Sequence, residues 1–429
     1  MQGLSQGNVQ SDRQSIPHEV SRGVVRRPIK ILHVLGTMSR GGIQVRTVEL
    51  LRHVDRERYQ FHFCALAGQP EALDQEVRSL GGVVHRPHQT VTNASRFFRW
   101  FFREQAFDVV HSHLHLRSGY FLRLAAECGI PIRVVHLRCM NEECYLSPWR
   151  KLACWWLSHF VDRFAPAGKM RRWVDQYATD ILGVSEAVLS SVWGPGWRLD
   201  SRCRVVYDGL DPALFESVSH RDEVRREFGL PEDSTLCIHI GRLAQPKNHL
   251  QLISIFAELL RHEPSARLLL VGRMSVGRNN RMIEHRVRKR IADLGIHDKI
   301  IFSGERNDVP RLLKAADLMI FPSRHEGLGD AVLEACAAGT PSLCSDLPSI
   351  REIADRLSGI RRMGLDRSDM VWAKAARTML TPRPTPETRQ VALNAFARSL
   401  FTVEECGQSL CRIWEKSRAR FEKRSVSRR

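Results

Sequence analysis

No run of apolar residues in this 429-residue chain approaches the ~18 to 20 that a membrane-crossing helix needs, and the opening stretch MQGLSQGNVQSDRQSIPHEV lacks the apolar core of a secretory signal. The expected location is therefore the cytoplasm. Cysteines number eleven, an odd count, and are scattered without the paired spacing of a metal site. Cys64, Cys237, Cys336 and Cys344 fall in apolar strand or helix patterns, as reduced, buried thiols do. Cys139 and Cys144 are the nearest approach to a metal pair. Also missing are a zinc finger, an aromatic RNA-binding signature and a recognisable DNA-reading helix, so nucleic acid is not an expected partner. No solenoid-type repeat is present either.

What is present is charge, apolar material and alternation. The formal net charge is +18, spread along the chain and ending in KSRARFEKRSVSRR. Such a surface is either simply solvated or drawn to anionic lipid headgroups and phosphate-rich acceptors. With 43% hydrophobic residues the chain can fill two cores, and its length suggests two domains of about 180 to 200 residues. Residues 1–27 are polar and aperiodic, which reads as a disordered lead-in. PIKILHVLG then reads as a buried strand, and SRGGIQVRTVELLRHV as a Gly-rich loop entering a helix with Ile43, Thr47, Leu50, Leu51 and Val54 at helical spacing. FHFCALA, FDVVHSHLH, IRVVHLR and TDILGVS continue a strand-and-helix alternation, which implies a parallel sheet covered on both faces. The first domain is placed at 28–210. After a hinge, DGLDPALF, the segments STLCIHIGRL, ARLLLVGR, KIIFSG, DLMIFPS and TPSLCSD repeat the plan over 211–405, leaving a terminal helix and basic tail at 406–429.

The most informative stretch is FPSRHEGLGDAVLEACAAGTP, with Glu326 on a strand-to-helix loop and Glu334 one turn into the helix that follows, a helix stopped by Gly339 and Pro341. Free amides at a helix N-terminus suit phosphate, and carboxylates suit sugar hydroxyls. Here the chain resembles glycosyltransferase family 4, retaining enzymes of the GT-B fold, whose signature is a glutamate, seven residues and a second glutamate in this context. The resemblance covers roughly residues 29–405 and extends to other motifs. HIGRLAQPKNHL places Arg242 and Lys247 where the family's Arg and Lys contact the donor diphosphate. Gly41 and Gly42 match the family's glycine pair after the first strand, and ILGVSEAV, with Ser185 and Glu186, its segment before the hinge. In FDVVHSHLH, His113 aligns with the histidine that touches the donor sugar, with His111 as the alternative; His115 and His136 read as ordinary structural histidines.

The resemblance implies an α/β protein of GT-B type, two Rossmann-like domains facing across a cleft, with a helix from about Val403 to Arg420 crossing back onto the first. That helix sets Val403, Cys406, Leu410, Ile413 and Ser417 on one stripe. It further implies sugar transfer from a nucleotide-diphosphate donor, of UDP or GDP type, to a glycan or lipid-linked acceptor with retention, in cell-surface polysaccharide assembly. Glu334 would hold the ribose; Glu326 a sugar hydroxyl; and the amides of Gly327, Leu328 and Gly329 would lie near the sugar or distal phosphate. No Asp-x-Asp pair is present, in keeping with a metal-independent enzyme without cofactor. A GT-B epimerase and a catalytically silent sugar binder remain alternatives. The chain departs from the family after LLLVG, where a basic loop, SVGRNNR, replaces a second glycine, and at the hinge, where Asp208 stands for the usual asparagine. Residues 140–170 carry no family signature, but WRKLACWWLSHFVDRF sets Trp149, Trp156 and Phe160 on one helical stripe, facing either the core or a membrane interface. FFRWFFRE at 97–104 poses the same choice.

Overall fold

Short runs rich in Val, Ile and Leu, apolar on both faces, form parallel sheets when helices cover both sides, and this chain builds two. The structure, a computed structural model, describes residues 27–87, 94–140, 167–216, 221–273 and 278–426. The first sheet contains β1 (Ile29–Leu35), β2 (Tyr59–Ala65), β3 (Val83–His85), β4 (Val109–Ser112), β5 (Ile132–Leu137), β6 (Asp180–Gly183) and β7 (Cys203–Val205). Their order is β3-β2-β1-β4-β5-β6-β7, every pair parallel. The second contains β8 (Leu236–Ile240), β9 (Arg267–Val271), β10 (Ile300–Gly304), β11 (Leu318–Phe321), β12 (Ser342–Ser345) and β13 (Ile360–Met363), in the order β10-β9-β8-β11-β12-β13.

These are two Rossmann-like halves of a GT-B fold. In such open sheets ligands gather outside the carboxyl ends of the strands where the order reverses, and here the reversals lie between β1 and β4 and between β8 and β11. Strands β3, β7 and β13 were not legible in the sequence: each is three or four residues long at a sheet edge, and none is fully buried.

The terminal helix, Val403–Val426, returns to the first half, as the sequence suggested. Cys406, Leu410, Ile413 and the fully buried Trp414 join a core with Ile31, Phe61, Phe63 and the Gly42–His53 helix. Gly407 allows that contact, since a Cβ there would lie 3.3 Å from Leu50 and 3.6 Å from Val54. Both crossings between the halves run side by side: Leu210 N–H donates to Phe401 O and Val403 N–H to Leu210 O, each at 2.9 Å.

Within FFRWFFRE, in the Ala94–Gln105 helix, Phe98, Phe101 and Phe102 enter the core, the first of the two alternatives, while Trp100 is 57% exposed. Around Trp100, Arg96, Arg99, Arg103 and Glu104 line a concavity of about 410 Å³. The polar lead-in up to residue 26, the Trp-bearing stretch 149–164 and the side chains from 417 onward lie outside the described residues. Among the described residues no helix is long and apolar enough to cross a membrane. Cys64, Cys237, Cys336 and Cys344 are free and buried, as expected of apolar-patterned thiols; Cys139, by contrast, is disulfide-bonded.

Candidate functional site

Most of the residues the sequence singled out sit at a strand's carboxyl end beside one of the two reversals; Glu334 lies in the Asp330–Ala337 helix that follows β11. Gly41 and Gly42 follow β1, His113 follows β4, Arg242 and Lys247 follow β8, and Glu326 follows β11. The loops after β8 and β11 are joined, because Arg324 N–H donates to Pro246 O at 2.7 Å. Across that junction Lys247 Nζ donates to Glu326 Oε1 at 2.6 Å and lies 5.0 Å from the Phe321 ring centroid. Glu326 is only 8% exposed, and Lys247 is a cationic partner for it there. Arg242 is exposed on the same loop.

The 326–330 turn needs its glycines for two reasons. Gly329 has φ +108°, a left-handed conformation that a side chain would strain. Gly327 presses on the end of β5, where a Cβ would stand 2.2 Å from Arg138 O. Leu328 turns into the core at 2% exposure, leaving only its backbone for a ligand. No side chain caps the Asp330–Ala337 helix, whose first amides are therefore open to an anion.

The two halves meet tightly. Ser185 Oγ donates to Gly327 O at 2.6 Å, and the Glu352 carboxylate accepts from Glu186 N–H and Ala187 N–H, both at 2.9 Å. Gly42 abuts the Asp330 carboxylate, 2.8 Å from where a Cβ would be. Glu334 accepts a hydrogen bond from Arg46 Nη2, on the helix after the glycine pair, and Arg46 Nη1 reaches Glu49 Oε2 at 2.6 Å. Burial pushes the Glu334 carboxyl up to about 7, with Arg46 pulling the other way. Asp208, paired with Arg138 Nη1 at 2.6 Å, is pushed up to about 6, again chiefly by burial.

Sequence reasoning did not find Arg46, Glu49 or Arg138. The Arg46/Glu49 pair at i,i+3 is the only local signal, and on a two-faced helix it reads as solvated.

His113 is buried. Its Nε2 hydrogen-bonds His33 Nδ1 at 3.0 Å, its Nδ1 is buried without a hydrogen-bond partner, and its ring stacks 4.5 Å from His111. His111 Nε2 in turn meets His136 Nδ1 at 3.3 Å. Desolvation lowers His33 to about 3 and holds His111, His113 and His136 well below the usual range, so all four are neutral imidazoles.

Among the described residues, two clusters bring three candidate metal-ligand atoms together: buried His33, His111 and His113, and the more open His53, Asp211 and Glu404. In the first, near-parallel stacking of His113 on both partners sets the in-plane lone pairs side by side, and one pair is already spent on a hydrogen bond. In the second, His53 turns Nε2 to Asp211 at 3.4 Å and Nδ1 to Glu404 at 3.3 Å, bridging two carboxylates with different nitrogens.

Comparison with known proteins agrees with this geometry. Residues 41–192 match the family model described as Glycosyl transferase 4-like domain, and residues 220–363 the model described as Glycosyl transferases group 1. The chain is 28% identical over 366 residues to EpsF of Bacillus subtilis (strain 168), covering 83% of this chain and 90% of that one. To the capsular polysaccharide biosynthesis glycosyltransferase CapH of Staphylococcus aureus it is 25% identical over 312 residues, covering 72% and 78%. Among solved structures, Anabaena Alr3699/HepE in complex with UDP and glucose superposes with a TM-score of 0.72 at 18% identity, over 90% of this chain and 100% of that one.

Proposed function

Since the chain belongs to the glycosyltransferases, with a 4-like first half and a group 1 second half, we propose that it moves a sugar from a nucleoside-diphosphate donor to a hydroxyl of a glycan or lipid-linked acceptor, with retention, in cell-surface polysaccharide assembly. The single observation that carries this reading is the meeting of the two strand-order reversals, which puts Glu326, Glu334, Lys247 and the glycine pair around one interdomain cleft. Arg242, Lys247 and the uncapped amides of the Asp330 helix supply positive potential for a diphosphate leaving group, the part a metal plays elsewhere. Glu326 holds a donor-sugar hydroxyl. Glu334 takes the ribose, and His113 borders the sugar from the first half. The departing phosphate oxygen assists deprotonation of the acceptor on the same face, so no side chain is needed as a covalent nucleophile. Closure of the halves excludes water that would otherwise hydrolyse the donor.

Support for the donor class comes from HepE, whose solved complexes contain UDP, UDP with glucose, and UDP-glucose. The pathway is suggested by CapH and by the lipopolysaccharide core mannosyltransferase LpsB of Rhizobium meliloti (strain 1021). The test is incubation of the purified protein with a panel of UDP- and GDP-sugars, with and without a lipid extract, reading released UDP or GDP. Release that depends on the extract and survives EDTA is expected. Loss of turnover on chelation would remove the metal-free mechanism, and interconversion of sugars without nucleotide release would make the protein an epimerase.

We further propose that the enzyme works in the cytoplasm and rests reversibly on an anionic membrane surface. The +18 charge and the arginines around exposed Trp100 favour this, each nearby Lys or Arg contributing about 1 kcal/mol at low salt. In sedimentation, the protein should pellet with anionic vesicles and be released by salt. Equal binding to anionic and neutral vesicles, or to neither, would refute it.

A further inference from the structure

The ion pairs at the cleft form a continuous chain from the hinge to the candidate ribose site. Glu49 Oε1 accepts from the Asp211 N–H at 3.2 Å, its Oε2 accepts from Arg46 Nη1 at 2.6 Å, and Arg46 Nη2 donates to Glu334 Oε1. The Arg46 side chain is 8% exposed, its Nε is buried without a hydrogen-bond partner, and its contact with Glu334 uses only one carboxylate oxygen. The second oxygen is left for a ligand. Arg46 and Glu49 belong to the first half, Glu334 to the second, and Asp211 to the crossing between them, so the chain exists only when the halves are together.

We propose that Arg46, braced by Glu49, is a positioning residue that keeps the Glu334 carboxylate ionised and oriented from across the cleft, so that ribose recognition is assembled by domain closure. This rests on the reading of Glu334 as the ribose ligand. A carboxylate that accepts both hydroxyls of a diol must be charged, and Glu334 stands in a poor place to be so. Burial raises it to about 7, and Asp330 and Glu49 add to the rise; Arg46 is the cation that opposes it. Asp208 and Arg138 complete the cluster, giving two cations against the four carboxylates of Glu49, Asp208, Asp330 and Glu334. Ionisation of Glu334 is therefore finely held near neutral pH, and Arg46 sets where.

Calorimetric binding of UDP or GDP, whichever binds more tightly, against its 2′,3′-dideoxy analogue decides the matter. The ratio of the two affinities isolates the diol and cancels titration of the diphosphate itself. In the unaltered protein the preference for the diol should grow as pH rises through about 7. In Arg46→Met the same growth should begin about one pH unit or more higher, with a roughly tenfold weaker diol preference at pH 7. Arg46→Lys, which restores the charge without the fork, should recover most of the original profile. An Arg46→Met profile that rises at the same pH as the original would overturn the positioning role, as would a loss that is uniform at every pH. A different failure is separable: no diol preference in the unaltered protein, and none lost in Glu334→Gln, would mean that Glu334 does not hold the ribose at all.

Discussion

Lowering the pH from 7 to 5 should unfold the protein. Six of the buried histidines are neutral rings: His33, His111, His113 and His136 in the first half, His239 and His249 in the second. Desolvation lowers His239 to about 4 and holds His249 well below its usual range, as it does the first four. In the unfolded chain each would titrate near 6.5, so below that pH the unfolded state binds more protons and stability falls. At pH 5 the loss is about 2 kcal/mol per histidine, or roughly 12 together. Glu334 and Asp208, whose folded values are raised, act oppositely: they hold protons in the folded state and return about 3 kcal/mol on acidification. The balance is comparable to the whole stability of an ordinary domain, about 5 to 15 kcal/mol. Thermal melts from pH 8 to 5 should show a steep fall beginning near 6.5. A melting temperature unchanged at pH 5 would mean that the histidine clusters are hydrated or already protonated in the fold.

Replacing Glu326 by glutamine should lower kcat by one to three orders of magnitude, ~1.4 to 4 kcal/mol of transition-state stabilisation. On the proposed roles, Glu326 meets the sugar, where charge changes during transfer, whereas Glu334 meets a part of the donor that does not react. Glu334→Gln should therefore act mainly on the donor KM. The 2.6 Å bond between Lys247 and Glu326 adds a condition. Lys247→Ala removes the cation proposed to meet the diphosphate and also takes from Glu326, 8% exposed, its partner, so it should cost at least tenfold in kcat/KM, a charge-assisted bond being worth about 1.5 to 3 kcal/mol. The double variant should lose less than the sum of the two singles, since they share one interaction. Steady-state kinetics on the unaltered protein and the four variants reads all of this. A kcat loss that falls on Glu334→Gln and spares Glu326→Gln would reverse the two roles, and strict additivity would sever Lys247 from Glu326.

The sequence by itself determined the strands of both sheets except the short edge pieces, because an interior parallel strand must be apolar on both faces and so reads as an unbroken run such as LLLV or LMIF. It determined the strand-to-turn-to-helix context of Glu326 and Glu334, because Gly329 and Gly339 punctuate the chain where left-handed conformations are needed. The crossing helix was legible through Cys406, Leu410 and Ile413, though not the burial of Trp414, which the 3.6-residue stripe also reaches. What the tertiary structure alone decided is electrostatic. Arg46 and Glu49 look like the solvated side of the helix that follows the glycine pair; only the approach of the second half, with Gly42 against Asp330 and Gly327 against Arg138 O, buries them and turns them toward Glu334. His33, alone in an apolar strand, becomes part of a four-ring stack only because β1 and β4 pair in the register His33 to His111. Apolar periodicity is a local property and survives in one dimension, whereas a charge takes its meaning from partners that lie 288 residues away, as Glu334 does from Arg46.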